Sequence, residues 1–537
     1  MVYIHGSYCK HILQNEGAVS RFLMWDCKKL NQFAKETFGN RSLVVVSNRE
    51  PYIHSQSDGM ITWSRGGGGL TAVLDSAMQA MGGVWVAWGS GNADWKVLDK
   101  AGTIPVPPDQ PSYLLKRVLL TPEEVEHYYY GFSNRFFWPL FHQFVDRVAF
   151  LEEDWLCYKK VNGHFADAVL AEVKNTPSPV IWIQDYHLTY VPYLLRKHKP
   201  DACLSLFWHI PWPSYDLFKI APCRQELLAS LLCCDLLGFQ TDLDRDHFLE
   251  AVEKEFALTV NFSRHEVISQ GHTTVAKACG ASIDTAAWMK IASVPGIEEK
   301  VKNVRRDLHL PPDGFFAIAV DRLEYTKGII ERFSAIDIFL TRYPQFRGIF
   351  TFMQIASPSR TAMAEYQEYG EKVENAADAI NDKYRFNGWK PIEYCPFHVE
   401  SETLAVYYRA SDLAIVTPFA DGMNLVAKEF VAAQLDNRGV LLLSQFAGAA
   451  QEMPGAVLVN PYDLEEFARE IKRALEMAPS AKKAAMDDMR AYLETHNVYK
   501  WVTDILLMSL SCRSPAPQSQ RVYSPSLISS QGLPLLP

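Results

Sequence analysis

What most limits the fold of this chain is a pair of consecutive series of short, unbroken apolar runs, each run followed by a polar break and a helical pattern. The first series is "SLVVVSN" (42–48), "GVWVAWG" (83–89), "PVIWIQD" (179–185), "CLSLFWH" (203–209) and "CDLLGFQ" (234–240). The second is "FFAIAVDR" (315–322), "RGIFTFMQIA" (347–356), "DLAIVTP" (412–418), "GVLLLSQ" (439–445) and "AVLVNP" (456–461). Val, Ile and Leu without polar alternation read as strands buried on both faces, and their alternation with helices implies βαβ units and parallel sheets. At 537 residues the chain is too long for one core. Two series then imply an α/β protein of two doubly wound, Rossmann-like domains of similar size.

The connection between them lies between about 280 and 312, where "LHLPPDG" supplies Pro and Gly punctuation. The expected limits are an N-terminal extension (1–41), a first domain (42–285), a second domain (286–482) and a closing helical segment (483–510). The Ser- and Pro-rich stretch 511–537 is expected to be disordered.

Composition narrows the function classes. Net charge is −9 with both signs interspersed, and no Lys/Arg block argues for nucleic acid. No apolar run approaches the roughly 18 residues needed to span a bilayer, and the N-terminus is a poor secretory signal. The ten cysteines are scattered without a CxxC pair, which suits buried free thiols in a reducing compartment. A cytoplasmic protein without metal or cofactor is expected. A homo-oligomer is compatible with the chain and not specified by it.

In open α/β sheets ligands bind beyond the C-terminal ends of the strands. There the first series places Asn48 and Arg49, then Asp185, Tyr186 and His187 in "QDYHL", then His209 in "HIPWPS". "SRGGGGL" (64–70) is either a flexible loop or a backbone cradle for phosphate. The second series places Arg322 and Lys327, five apart, where two cations can neutralise a diphosphate, and Arg360 after the next strand. In "TPFADGMNLVAKEF" (417–430) a buried strand ends in an acidic Gly turn. The helix beginning near Asn424 offers free N–H groups to an anion. Asp421 and Glu429, eight apart, are placed to accept hydrogen bonds from sugar and ribose hydroxyls. Together these point to a nucleotide-sugar site. Arg49, Tyr129, Trp138 and Arg360 form a basic and aromatic set suited to a second anionic ligand.

From about Leu43 to Leu510 the chain resembles the retaining glycosyltransferases of the trehalose-6-phosphate synthase type. The motifs that carry this are "VVVSNR", "GGL", "YYYGFSNRFFWPLFH", "WIQDYHL", "HIPWPS", "GFQT", "VDRLEYTKGI", "DGMNLVAKEFVAAQ", "SQFAGAAQE" and "VNPYD". The resemblance implies a GT-B fold, with the two domains facing a central cleft. It implies glucosyl transfer with retention from a nucleoside-diphosphate donor, usually UDP-glucose, to glucose 6-phosphate. Arg49, Tyr129, Trp138 and Arg360 would hold the acceptor phosphate and Asp185 the acceptor sugar. His209 would lie by the transferred glucose, and Arg322 and Lys327 by the donor diphosphate. Asp421, Gly422, Met423, Asn424, Leu425, Val426 and Glu429 would hold donor sugar and ribose. Gly68 and Gly69 would approach the donor, and Val399 would meet the base through its backbone. A separate trehalose-6-phosphate phosphatase would complete the pathway.

The chain departs from the family pattern at Ala420, where Arg is common, at Gln184, where His is common, and at Ser282, where Gly is common; its Gly loop carries Arg65. Two rival readings are a synthase with another acceptor, such as glycerol 3-phosphate, and a weakly catalytic paralogue that binds sugar phosphates and regulates a partner.

Overall fold

A computed structural model describes residues 24–38, 43–66, 69–269 and 271–512. All ten apolar runs are strands in two separate sheets. The first sheet has ten strands, in the order Thr259–Asn261, Glu266–Ser269, His272–Ala278, Leu236–Phe239, Cys203–Phe207, Val180–Gln184, Leu43–Ser47, Val84–Trp88, Tyr113–Val118, Thr103–Val106. Thr103–Val106 at one edge and Thr259–Asn261 with Glu266–Ser269 at the other join antiparallel, and the pairs between them are parallel. The second sheet has six parallel strands, in the order Ile392–Cys395, Phe350–Ser357, Phe315–Arg322, Leu413–Val416, Val440–Ser444, Val457–Val459.

The unbroken apolar runs have the cause inferred for them. Side chains alternate across a strand, so a run apolar at every position fills a core on each face. Val44 and Val46 enter one core and Leu43 and Val45 another. Ile181 and Ile183 are likewise separated from Val180 and Trp182, and Ala317 and Ala319 from Phe316 and Ile318. The edge strands lack this pattern. The hairpin Tyr52–Ser57/Met60–Arg65 is exposed along its second strand and turns through Asp58 and Gly59, both at positive φ. Its Asp-Gly pair is an ordinary hairpin signal.

The chain closes with helices Pro479–Thr495 and Val498–Cys512. The last one crosses back to the first sheet. Trp501, Val502, Ile505 and Leu506 are buried with Trp182 and Phe207, and the Trp501 indole N–H donates to the Cys279 carbonyl at 3.1 Å. Residues 513–537 lie outside the described residues, and with them most of the stretch expected to be disordered.

Candidate active site

Asn48, Arg49, Asp185, His209, Arg322, Lys327, Arg360 and Asp421 sit at or just beyond the C-terminal ends of strands, while Tyr129, Trp138 and Glu429 are carried by helices. The halves meet closely. A Cβ on Gly422 would lie 2.0 Å from the His209 carbonyl oxygen, so only glycine fits there. Phe144 packs on Tyr325 with ring centroids 5.0 Å apart, and the Arg147 guanidinium lies 4.3 Å from the Tyr325 ring centroid. Gly69 opens the helix Gly69–Met81, and its α-carbon faces the Leu425 side chain across the cleft. Gly68 lies outside the described residues.

One half of the site is a buried cationic and aromatic nest. Arg49 donates to the Tyr129 hydroxyl and stacks on its ring, with Cζ 5.0 Å from the centroid. From the other sheet Arg360 and Arg322 reach the Trp138 ring, at 4.2 and 5.3 Å. Burial alone would raise the Tyr129 phenol, but Arg49, Arg360 and Arg322 outweigh it and lower its pKa. The sign of that shift marks a positive potential at the phenol. The indole N–H of Trp138 and the Nε–H of Arg360 are buried without a hydrogen-bond partner among the described residues, so donors remain for an anion. Tyr129 is carried by Val125–Phe137, a π-helix that ends on a five-residue bond from Trp138 N–H to the Ser133 carbonyl. Such wide helices are rare and gather at functional sites.

Asp185 stands at φ 72, ψ 171, backbone that a side chain other than hydrogen tolerates poorly. Its carboxylate accepts from the His209 N–H at 3.2 Å. Burial pushes its pKa up to about 7, against the pull of the Tyr186 and His209 N–H groups. Burial also pushes His209 down to about 3. The neutral ring donates from Nε2 to Gln184 Oε1 at 2.9 Å and accepts at Nδ1 from Gln240 Nε2 at 3.3 Å.

The other half is the turn 421–424 and its helix. Asn424, at φ 81, caps the helix Leu425–Ala433: its side-chain oxygen accepts from the Ala427 N–H at 3.2 Å, and its amide donates to Asp421 Oδ2 at 3.1 Å. Lys327 Nζ lies 2.7 Å from the same Asp421 oxygen. Burial opposes charge on Asp421, but Lys327 prevails and holds its pKa below the usual range. The expected donor cation and donor carboxylate are thus an ion pair. Glu429 is half-buried, accepts from the Tyr408 hydroxyl at 3.4 Å, and is raised by burial to about 7. Met423 is buried, and Val399, Leu425 and Val426 are half-buried against the same core.

The departures have concrete surroundings. Ala420 is buried, Gln184 holds His209, and Ser282 is buried with no partner for its hydroxyl among the described residues. Arg65 is exposed, 3.7 Å from Asp75. Sequence reasoning passed over three residues in quoted motifs. Glu324 of "VDRLEYTKGI" is fully buried against Arg322 and Arg360. His142 of "FFWPLFH" packs against Trp138, ring centroids 3.9 Å apart and planes tilted by 32°. Gln240 of "GFQT" contacts His209.

The family model for glycosyltransferase family 20 matches residues 41–509. A trehalose-6-phosphate synthase of Salmonella paratyphi B is 35% identical over 488 residues, covering 89% of this chain and 97% of that protein. An alpha,alpha-trehalose-phosphate synthase [UDP-forming] A of Dictyostelium discoideum is 32% identical over 483 residues, 88% of this chain; the chain spans 63% of that protein's length. Among solved structures, a UDP-forming synthase of Burkholderia xenovorans in complex with glucose-6-phosphate superposes with a TM-score of 0.78 at 32% identity, covering 87% of this chain and 100% of that one. An E. coli structure bound with UDP-2-fluoro glucose gives 0.77 at 33% identity, covering 89% and 100%. These matches make the chain a member of glycosyltransferase family 20.

Proposed function

We propose that the chain transfers glucose from UDP-glucose to glucose 6-phosphate, with retention at the anomeric carbon, giving trehalose 6-phosphate and UDP. The observation that carries this is the convergence of Arg49, Arg322 and Arg360 on Tyr129 and Trp138, facing a helix N-terminus that bears Lys327 and Asp421 at its mouth. That arrangement suits one phosphorylated ligand on each side of the cleft.

Arg49, Tyr129, Trp138 and Arg360 hold the acceptor phosphate, and Asp185 orients the acceptor hydroxyls. Arg322, Lys327 and the N–H groups of Met423 to Val426 hold the donor diphosphate. Asp421 meets the transferred sugar, with His209 beside it, and Glu429 meets the ribose. As the glycosidic bond to phosphate lengthens, negative charge grows on the leaving oxygen. Fixed cations and N–H groups stabilise it without reorganising. The leaving phosphate takes the proton of the acceptor hydroxyl on the same face of the sugar, which preserves configuration. His209, kept neutral by burial and oriented between two glutamines, serves as a fixed polar wall rather than a proton carrier. Holding both sugars in register contributes several kcal/mol through proximity.

On this reading 42–285 is the acceptor domain, 286–482 the donor domain, and no cofactor is required. The nine cysteines among the described residues are all free, which supports a reducing cytoplasm. No described helix is long and apolar enough to cross a membrane.

The test is an assay of purified chain with UDP-, ADP- and GDP-glucose against glucose 6-phosphate, glycerol 3-phosphate and glucose, with the product's anomeric configuration read by NMR. Retaining transfer from UDP-glucose to glucose 6-phosphate is expected. No transfer to that acceptor from any donor would overturn the reading.

A further inference from the structure

Glu324 is the most deeply buried carboxylate of the cleft, at 0% exposure. It precedes the short helix Tyr325–Lys327, and its own carbonyl accepts the Lys327 N–H at 3.1 Å. Its side chain carries more. A single oxygen, Oε1, receives Arg360 Nη1 at 2.8 Å, Arg322 Nη1 at 3.2 Å and the Ser359 hydroxyl at 2.8 Å. The second oxygen, Oε2, is buried with no partner among the described residues. A carboxylate placed for solvation would share its donors between both oxygens. This one is turned so that one oxygen gathers two guanidiniums from two strand ends.

Those guanidiniums are the ones that approach the Trp138 ring. Two like charges near one ring repel at low dielectric unless an anion lies between them. Arg322 is 46% exposed along its side chain and makes no other ion pair among the described residues, so without Glu324 it would be free to swing. Arg360 is buried at φ 48, and it also donates a hydrogen bond to the Tyr366 hydroxyl at 2.9 Å. Burial disfavours charge on Glu324, but Arg322, Arg360 and Lys327 outweigh it and hold its pKa down to about 2. The cations around it therefore favour its anionic form.

We infer that Glu324 is a positioning residue that ties Arg322 to Arg360, fixing the donor-diphosphate and acceptor-phosphate subsites relative to each other. The inference rests on the assignment of those two subsites made above. Glu324 touches neither substrate. It sets the distance between the groups that do, and so should affect both ligands at once, whereas each arginine chiefly affects one.

The test uses the full chain. Initial rates with UDP-glucose and glucose 6-phosphate are measured for the parent, Glu324→Gln, Glu324→Asp, Arg360→Ala and the Glu324→Gln/Arg360→Ala double variant. Glu324→Gln should lower kcat/KM for both substrates, each by about tenfold or more, in line with the loss of charge-assisted hydrogen bonds. Glu324→Asp, which keeps the charge, should recover part of that loss. The double variant should be little worse toward glucose 6-phosphate than Arg360→Ala alone, because the carboxylate acts there through the arginine. Should Glu324→Gln fail to fold, Glu324→Asp still decides the matter: both KM values must rise together at a near-parental melting temperature. The inference is overturned by KM values within twofold of the parent, by a loss confined to stability, or by fully additive effects in the double variant. If the parent has no transferase activity the function assignment fails instead. Calorimetric titration with UDP and with glucose 6-phosphate then tests Glu324 alone: weaker binding of both in Glu324→Gln supports the role, and unchanged binding of either overturns it.

Discussion

Replacing Asp185 with Asn should make the protein more stable and less active, and pH separates the two effects. The carboxyl is raised from an ordinary 3.8 to about 7, chiefly by burial. Between about pH 4 and pH 7 the folded chain therefore keeps a proton that the unfolded chain releases. Stability falls as pH rises through that window and is lowest above pH 7. Three pH units at about 1.4 kcal/mol each set a ceiling near 4 kcal/mol. The side chain is 15% accessible, so the gain lies below that ceiling. Asn keeps the shape and one acceptor for the His209 N–H, and it does nothing to relieve the backbone at φ 72. The gain thus comes from the lost charge alone. Calorimetric melting at pH 8 should show a rise of a few degrees, shrinking toward nil near pH 4. Turnover with glucose 6-phosphate should fall by about 10- to 100-fold, the usual worth of a charge-assisted contact to a sugar hydroxyl. An unchanged or lower melting temperature at pH 8, together with parental turnover, would refute both the burial argument and the assignment of Asp185 to the acceptor.

Gly422→Ala puts a methyl group onto the His209 carbonyl and should wedge the cleft open, cutting kcat by more than tenfold with UDP affinity less affected; parental turnover would show that the halves need not meet there. Lys327→Ala should weaken donor binding by about 1.5–3 kcal/mol and leave the acceptor KM near its parental value, read from initial rates with each substrate varied. It also leaves Asp421 without its cation while burial still opposes its charge, so the melting temperature should drop at neutral pH and the deficit should shrink as pH falls and Asp421 protonates. Glu429→Gln should weaken UDP and UDP-glucose together in calorimetric titration; since burial raises Glu429 to about 7, the same change should stabilise the chain above pH 7, and a loss of stability there would contradict its placement.

Much of the architecture was legible before any tertiary structure. Runs such as "LVVVS" and "FFAIAV" are apolar at nearly every position because both faces of each strand are covered, and that demand acts locally, residue by residue. The same holds for the start of the helix near Asn424, which an apolar run after a polar Gly turn marks without knowledge of the fold; that Asn424 caps it emerged only from the structure. The strands Thr103–Val106, Tyr113–Val118, Thr259–Asn261, Glu266–Ser269 and Ile392–Cys395, at or next to the sheet edges, escaped the reading because they are short and partly exposed. So did the π-helix Val125–Phe137, whose sequence carries no period of its own.

Which residues stand at strand ends could be read from the chain alone, because the strands announce themselves and polar breaks must follow them. What those residues do to one another is set by the packed arrangement: Arg322 and Arg360 share both Glu324 and the Trp138 ring, Lys327 pairs with Asp421, Gln184 and Gln240 bracket the His209 ring, and the last described helix returns to the first sheet. Patterning records whether a side chain is buried, and burial is a local property. The identity of its neighbour depends on crossovers that bring together positions dozens to hundreds of residues apart, and no local pattern encodes that distance.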